Sequence, residues 1–190
     1  MKLVIKMIFT LSFIGIISGA LLSELSGWAE PQIAAHRLED TKNAIFLVQP
    51  KADNYKKLDL SDFELYQVSV SDSIIGYALP YSGSGFQGNI RLMIGLDSDL
   101  NKITGMRVLE QVETPGLGTK VTENFFTDQF INLSTNPFID CIKGAKASKD
   151  NEIEAITGAT ISSKAVSRII NDGLIKLRSL KKEGKLGWKK

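Results

Sequence analysis

The sequence predicts an α+β protein: an N-terminal transmembrane helix, then one domain in which an antiparallel sheet packs against helices. Three observations carry this reading. Residues 7–22 are apolar and uncharged. Between Phe63 and Leu109, four short runs rich in β-branched and aromatic residues alternate with Gly, Ser, Asp and Asn turns, as in a meandering antiparallel sheet. Near the C-terminus Val166, Ile169, Ile170, Leu174, Leu177 and Leu180 recur at three- and four-residue spacings, one apolar face of a helix. With 190 residues, 43% hydrophobic and 23% charged, the chain suffices for one anchor and one domain able to bury a core.

The anchor comes first. Extended back to Leu3 past Lys6, which can snorkel, the apolar run reaches the ~20 residues that cross a bilayer. A cleaved signal peptide would carry an apolar core of only about 7–15 residues, and Ser26-Gly27-Trp28-Ala29 is a poor cleavage site, so residues 1–25 are expected to remain as a transmembrane anchor. Lys2 and Lys6 precede the span, whereas Glu24, Glu30, Glu39 and Asp40 follow it with only Arg37 and Lys42. The positive-inside rule therefore puts the N-terminus in the cytoplasm and the domain outside. Pro31 is expected to open a separate juxtamembrane helix that ends before Pro50, so that residues 26–60 form helix and linker and 61–190 the extracytoplasmic domain.

The four strands are expected at Phe63–Val70, Ile74–Leu79, Ile90–Leu96 and Ile103–Leu109. Between the second and third, Gly83-Ser84-Gly85-Phe86-Gln87-Gly88 matches Gly-x-Gly-x-x-Gly, but a strand rather than a helix follows it, so it predicts a glycine-rich hairpin and not a dinucleotide site. Phe125, Phe126, Gln129 and Phe130 suggest a short helix capped by Thr122, and residues 136–144 a further strand. Gly184 is placed to stop the last helix.

Composition excludes several functions. A single Cys141 permits no internal disulfide and no cysteine metal site, and its apolar flanks fit a core position. His36 alone makes no histidine metal cluster, and no nucleophile elbow exists to meet it in a triad. The net charge of +2, much of the basic excess lying at Lys181, Lys182, Lys185, Lys189 and Lys190, gives no case for nucleic acid.

Two stretches remain. In Glu154-Ala155-Ile156-Thr157-Gly158-Ala159-Thr160-Ile161-Ser162-Ser163, small residues and hydroxyls stand at the start of the last helix. Such an end attracts anions through its free N–H groups and aligned dipoles, and the same residues also suit an ordinary N-cap. In Glu113-Thr114-Pro115-Gly116-Leu117-Gly118, Pro-Gly supplies the central pair of a type II turn.

Together these stretches resemble the covalent FMN-binding domain found in one flavoprotein subunit of the Rnf electron-transport complex, its G subunit, and in the C subunit of the sodium-pumping NADH:quinone reductase. The resemblance covers about Phe63 to Lys176. It implies that Thr160 carries FMN as a phosphoester, with Thr157, Gly158, Ala159, Ser162 and Ser163 around it, and that Glu113, Thr114, Gly116 and Leu117 belong to a loop against the flavin. It also implies a supporting place near the flavin for Tyr81 and Phe86. Glu154 stands where the family usually has Asp, and Gln111 where relatives often have His. The implied role is electron relay within a membrane complex that couples ferredoxin–NAD electron transfer to ion translocation, with the other subunits as partners and a flavin transferase acting during maturation. The implied alternatives are the quinone-reductase branch, disfavoured because it usually carries a longer insertion, and a tethered interaction domain without cofactor.

Overall fold

The structure, a computed structural model, describes residues 2–58, 60, 63–71, 73–184 and 186. Two compact units divide between Asp40 and Thr41. The first consists of the helix α1, which spans Lys2–Val48 and whose last turns enter the second unit. Side chains from Leu3 to Trp28 are exposed, and α1 is long and apolar enough to cross a membrane. No separate juxtamembrane helix begins at Pro31; the proline lies inside α1. Its missing N–H forfeits only the bond to the Gly27 carbonyl, and the flanking turns carry the helix across. The expected end before Pro50 holds.

The expected linker is corrected as well. Thr41, Ala44, Ile45 and Val48 are buried, the last three packing with Tyr66, Val68, Ala78 and Met93, and the chain beyond them forms a strand, β1 (Asn54–Leu58). Both belong to the folded unit, whereas the boundary expected at Ser61 lies outside the described residues. The strand sequence Asn-Tyr-Lys-Lys-Leu is too polar to announce itself, because as an edge strand it buries little.

The main sheet is antiparallel, in the order β1, β2 (Leu65–Val70), β3 (Ser73–Ser84), β4 (Asn89–Asp97) and β5 (Ile103–Gln111). Its centre is β3 against β4, with Leu79 opposite Ile94 and Tyr77 opposite Leu96. Both faces of β4 are covered, which is why Leu92, Met93 and Ile94 are all fully buried and read as a continuous apolar run rather than an alternating one. On one face lies the end of α1. On the other lies α3 (Thr160–Lys182), whose Val166, Ile170, Leu174 and Leu177 join the main core. The close fit of α3 on β3 depends on small residues, since a Cβ at Gly83 would stand 2.7 Å from Cγ1 of Ile169.

Between sheet and α3 the chain forms a 3₁₀ turn (Gly118–Thr122), the one-turn helix α2 (Asn124–Thr127), and the short parallel pair β6 (Asp140–Ile142) and β7 (Glu152–Glu154). Phe126 and Phe130 are core residues, their rings meeting edge to face. Thr122 is not the cap expected of it: Glu123 occupies that position, and the Thr122 hydroxyl donates to the Thr119 carbonyl. The strand expected over 136–144 shortens to three residues because its partner, β7, is equally short. Cys141 is buried in this pair, and burial pushes its thiol above its ordinary range. Gly184, at φ +72°, ends α3 as expected, while Lys185, Lys189 and Lys190 lie outside the described residues.

Candidate functional site

The start of α3 is organised by its serines. Gly158 takes a φ of +84°, a conformation that favours glycine, and delivers the chain to Ala159 at the N-cap position. The Ala159 carbonyl accepts from both the N–H (2.9 Å) and the hydroxyl (3.0 Å) of Ser163. The Ser163 oxygen in turn accepts from the Ile156 N–H at 3.0 Å, so this fully buried side chain is occupied within the approach to the helix. Thr160 is the first helical residue and half-buried. Ala159 being the cap, with no side-chain cap bond, Thr160 is not a helix cap, and its hydroxyl has no hydrogen bond among the described residues.

The second stretch approaches the first. The Leu117 N–H donates to the Thr114 carbonyl at 3.2 Å across Pro115 and Gly116, and Gly116 adopts φ +74°, as the Pro-Gly pair predicts. Glu113 is buried behind this turn. Its Oε1 accepts from the N–H groups of Phe86 (2.7 Å) and Gln87 (3.2 Å), in the hairpin loop between β3 and β4, and its Oε2 accepts from the Ser162 hydroxyl (2.6 Å). Gly118 allows this closeness, for a Cβ there would stand 2.8 Å from Glu113 Oε2 and 2.9 Å from Ser162 Oγ. Gln111 closes the base by accepting from the Glu113 N–H at 2.6 Å.

These segments enclose an open cleft of about 330 Å³. Of the residues singled out from sequence, Thr160, Gly158, Ala159, Ser162, Thr114 and Leu117 line it. Thr157, Ser163, Glu113 and Gly116 do not; Glu113 and Ser163 are buried with their oxygens engaged, and Thr157 is exposed. Phe86 is in the wall, whereas Tyr81 packs against Phe63 and under Lys176. Gly118, Ile161 and Lys143 complete it. Sequence reasoning missed Lys143, which follows β6 in a lysine-rich turn with no motif to mark it. That turn is braced by Glu152, whose carboxylate accepts from Ser148 and Lys149; the Lys149 ammonium first, then these donors, hold it down at about 2 against an ordinary 4.5. Glu154 directs its carboxylate to the Ala147 N–H (3.3 Å) in the same turn.

The cleft combines a cation, a free hydroxyl, the unpaired N–H groups of a 23-residue helix, and three large apolar side chains, Phe86, Leu117 and Ile161, each 48–59% exposed. That set suits a phosphate joined to a flat aromatic body. Glycine at 158 matters here for its φ of +84°, which a side chain would strain, and because it adds no Cβ beside Leu117 Cδ2, 3.4 Å from where one would stand. A larger recess of about 720 Å³ lies elsewhere on the folded unit, lined by Gln49, Lys51, Val70, Ile75, Thr104 and Ile131 among others. Its Gln49 amide is bound to the carbonyls of Tyr77 and Leu96, and its Thr104 hydroxyl to that of Val48; its other polar side chains, Lys51 and Asn132, are exposed, and it lies beside the C-terminal end of α1, which does not favour an anion.

Residues 85–175 match the family model described as the FMN-binding domain. The chain is 32% identical over 174 residues to the G subunit of the ion-translocating oxidoreductase complex of Methanosarcina acetivorans, an alignment covering 87% of this chain and 89% of that one. It is 34% identical over 120 residues, 63% of this chain and 57% of the other, to the G subunit of the Na(+)-translocating ferredoxin:NAD(+) oxidoreductase complex of Acetobacterium woodii. The crystal structure of Shewanella oneidensis NqrC shares the fold, with a TM-score of 0.55 and 19% identity over 70% of this chain and 74% of that one.

Proposed function

The chain belongs to the family of G subunits of ion-translocating oxidoreductase complexes, and from that premise we propose that it carries FMN as a phosphoester on Thr160 and relays electrons between neighbouring subunits. It is a membrane-anchored flavoprotein subunit of a multi-subunit oxidoreductase complex. The observation that carries the attachment is the Thr160 hydroxyl: half-buried at the first turn of α3, in the wall of the cleft, and without a partner among the described residues.

The residues present fit the group. Gly158 leaves room for the phosphate, the first N–H groups of α3 and the Lys143 ammonium offset its charge, and Phe86, Leu117 and Ile161 offer apolar surface to a ring. The ester joins Thr160 Oγ1 to phosphorus. In a reaction carried out by a flavin transferase, the hydroxyl attacks the FMN phosphorus of a flavin dinucleotide donor, the pyrophosphate bond breaks, and the nucleoside monophosphate leaves with the proton, so the protein gains the mass of FMN less water. Bound there, FMN supplies reversible redox chemistry in a ring that the ester leaves unaltered. The tether answers a problem of compartment: on the outer side of the membrane no FMN pool would refill an empty site. Lys2 and Lys6 before the span, and the acidic residues after it, support that orientation, with the domain outside. The near-full-length alignment to a G subunit favours this branch over the quinone-reductase one.

Mass mapping of protease-digested, denatured protein tests the site. The mass of FMN less water is expected on the fragment containing Thr160, and finding it only on another fragment would refute the assignment. Protease added to intact spheroplasts is expected to digest the domain; digestion only in inverted vesicles would reverse the orientation.

A further inference from the structure

We propose that Glu113 is a positioning residue that builds the flavin cleft from beneath, by clamping the hairpin loop at Phe86 and Gln87 to the third residue of α3, without touching the cofactor itself. The proposal rests on the FMN reading above for its consequence, though not for its geometry. Glu113 is 3% exposed and absent from the cleft wall, and both of its carboxylate oxygens are already engaged by Phe86, Gln87 and Ser162. Those bonds join three segments that are remote in sequence: the hairpin loop, the strand end at 113, and Ser162, 49 residues later. Each segment puts a residue into the wall, Phe86, Thr114 and Thr160 respectively. Ser162 is two residues from Thr160, so the bond at 2.6 Å sets where the first turn of α3, and hence the Thr160 hydroxyl, faces the loop. Gly85 and Gly118 fit the same purpose, because a Cβ at either would collide with the Glu113 side chain.

The donors decide which substitution is informative. Two of the three are backbone N–H groups, which can only donate, and the third is a hydroxyl, which can also accept. A glutamine can therefore keep its carbonyl oxygen toward Phe86 and Gln87 and turn its amide toward Ser162, reversing that bond without losing it. Alanine loses all three. A clamp thus predicts rescue by E113Q, whereas a role for the carboxylate charge, or for direct contact with the flavin, predicts failure of both variants.

The test uses the full chain in detergent, made with and without a flavin transferase. In flavin-free protein, amide hydrogen exchange at Phe86 and Gln87 is expected to be about tenfold faster or more in E113A and nearly unchanged in E113Q and S162A. In protein made with the transferase, the covalently flavinylated fraction is expected to fall severalfold in E113A and less in S162A, and to match the parent in E113Q. If E113A does not fold, S162A and E113Q still decide: a normal flavinylated fraction in S162A, or a loss in E113Q, overturns the clamp. Unchanged exchange at Phe86 and Gln87 in folded E113A overturns it too. A parent protein that takes no covalent flavin refutes the Thr160 reading instead, and the exchange measurement then judges the clamp alone.

Discussion

Of two recesses on the folded unit, the larger is the poorer candidate. The recess beside Gln49 and Thr104 has about twice the volume of the cleft at Thr160, yet its Gln49 amide and Thr104 hydroxyl are committed to backbone carbonyls, and it lies at the C-terminal end of α1 rather than at a helix N-terminus. In the smaller cleft the neighbouring serines are likewise committed, and Thr160 alone of the hydroxyls at the first turn of α3 is left open to the cleft among the described residues. The lesson is that the kind of polar group a recess presents, here a helix N-terminus with an unpaired hydroxyl beside it, marks a candidate site better than volume does. In the larger recess hydrogen bonds hold the end of α1 on the sheet, and in the smaller one they occupy Ser162 and Ser163 and leave the Thr160 hydroxyl unpaired among the described residues.

The contrast is sharpest at Thr160 itself. T160A is expected to abolish covalent flavin, read by in-gel fluorescence of denatured protein, while changing stability by no more than about 0.5 kcal/mol, because the lost hydroxyl has no partner among the described residues. Q49A should do the reverse. It removes the Gln49 amide donor from the Tyr77 and Leu96 carbonyls, so denaturant unfolding should show a loss of about 1–3 kcal/mol with flavinylation intact. Flavin lost in Q49A but kept in T160A would invert the comparison.

A change in the turn lies between these extremes. G116V forces a β-branched residue to φ +74°, at a cost of about 1–2 kcal/mol, and should leave flavin attached but shift its absorbance or potential. An unaltered spectrum and potential in folded protein would separate the turn from the site. K143A should act more weakly, slowing attachment a fewfold in a salt-dependent way, since an exposed pair with phosphate contributes only about 0.2–1 kcal/mol. Attachment rates measured at low and high salt check this.

Acid should have the smallest effect. The Glu152 carboxyl titrates lower folded than unfolded, so its bracing of the Lys143 turn is fully present above pH 4.5 and fades as pH falls toward about 2. Lower protection of the Ser148 and Lys149 amides, their exchange rates being compared with the intrinsic rate at each pH, is the expected outcome over that window, with the Thr160 ester unaffected.

Where local spacing reports burial, the sequence alone was enough. The apolar anchor, the strands β2 to β5, the glycine hairpin and the face of α3 are written in periods that one segment carries by itself, and the motifs at 113–118 and 154–163 both contribute to the cleft wall. Tertiary structure decided the rest. β1 is too polar, and β6 and β7 too short, for any period to show, while α1 runs through Pro31 because its flanking turns outweigh one lost hydrogen bond. Which hydroxyl stays free is likewise not a local property. Thr157, Thr160, Ser162 and Ser163 look alike along the chain, and they differ only because folding brings Glu113 to Ser162, turns Ser163 back onto Ile156 and Ala159, leaves Thr157 exposed outside the cleft wall, and sets Thr160 in that wall with its hydroxyl unpaired.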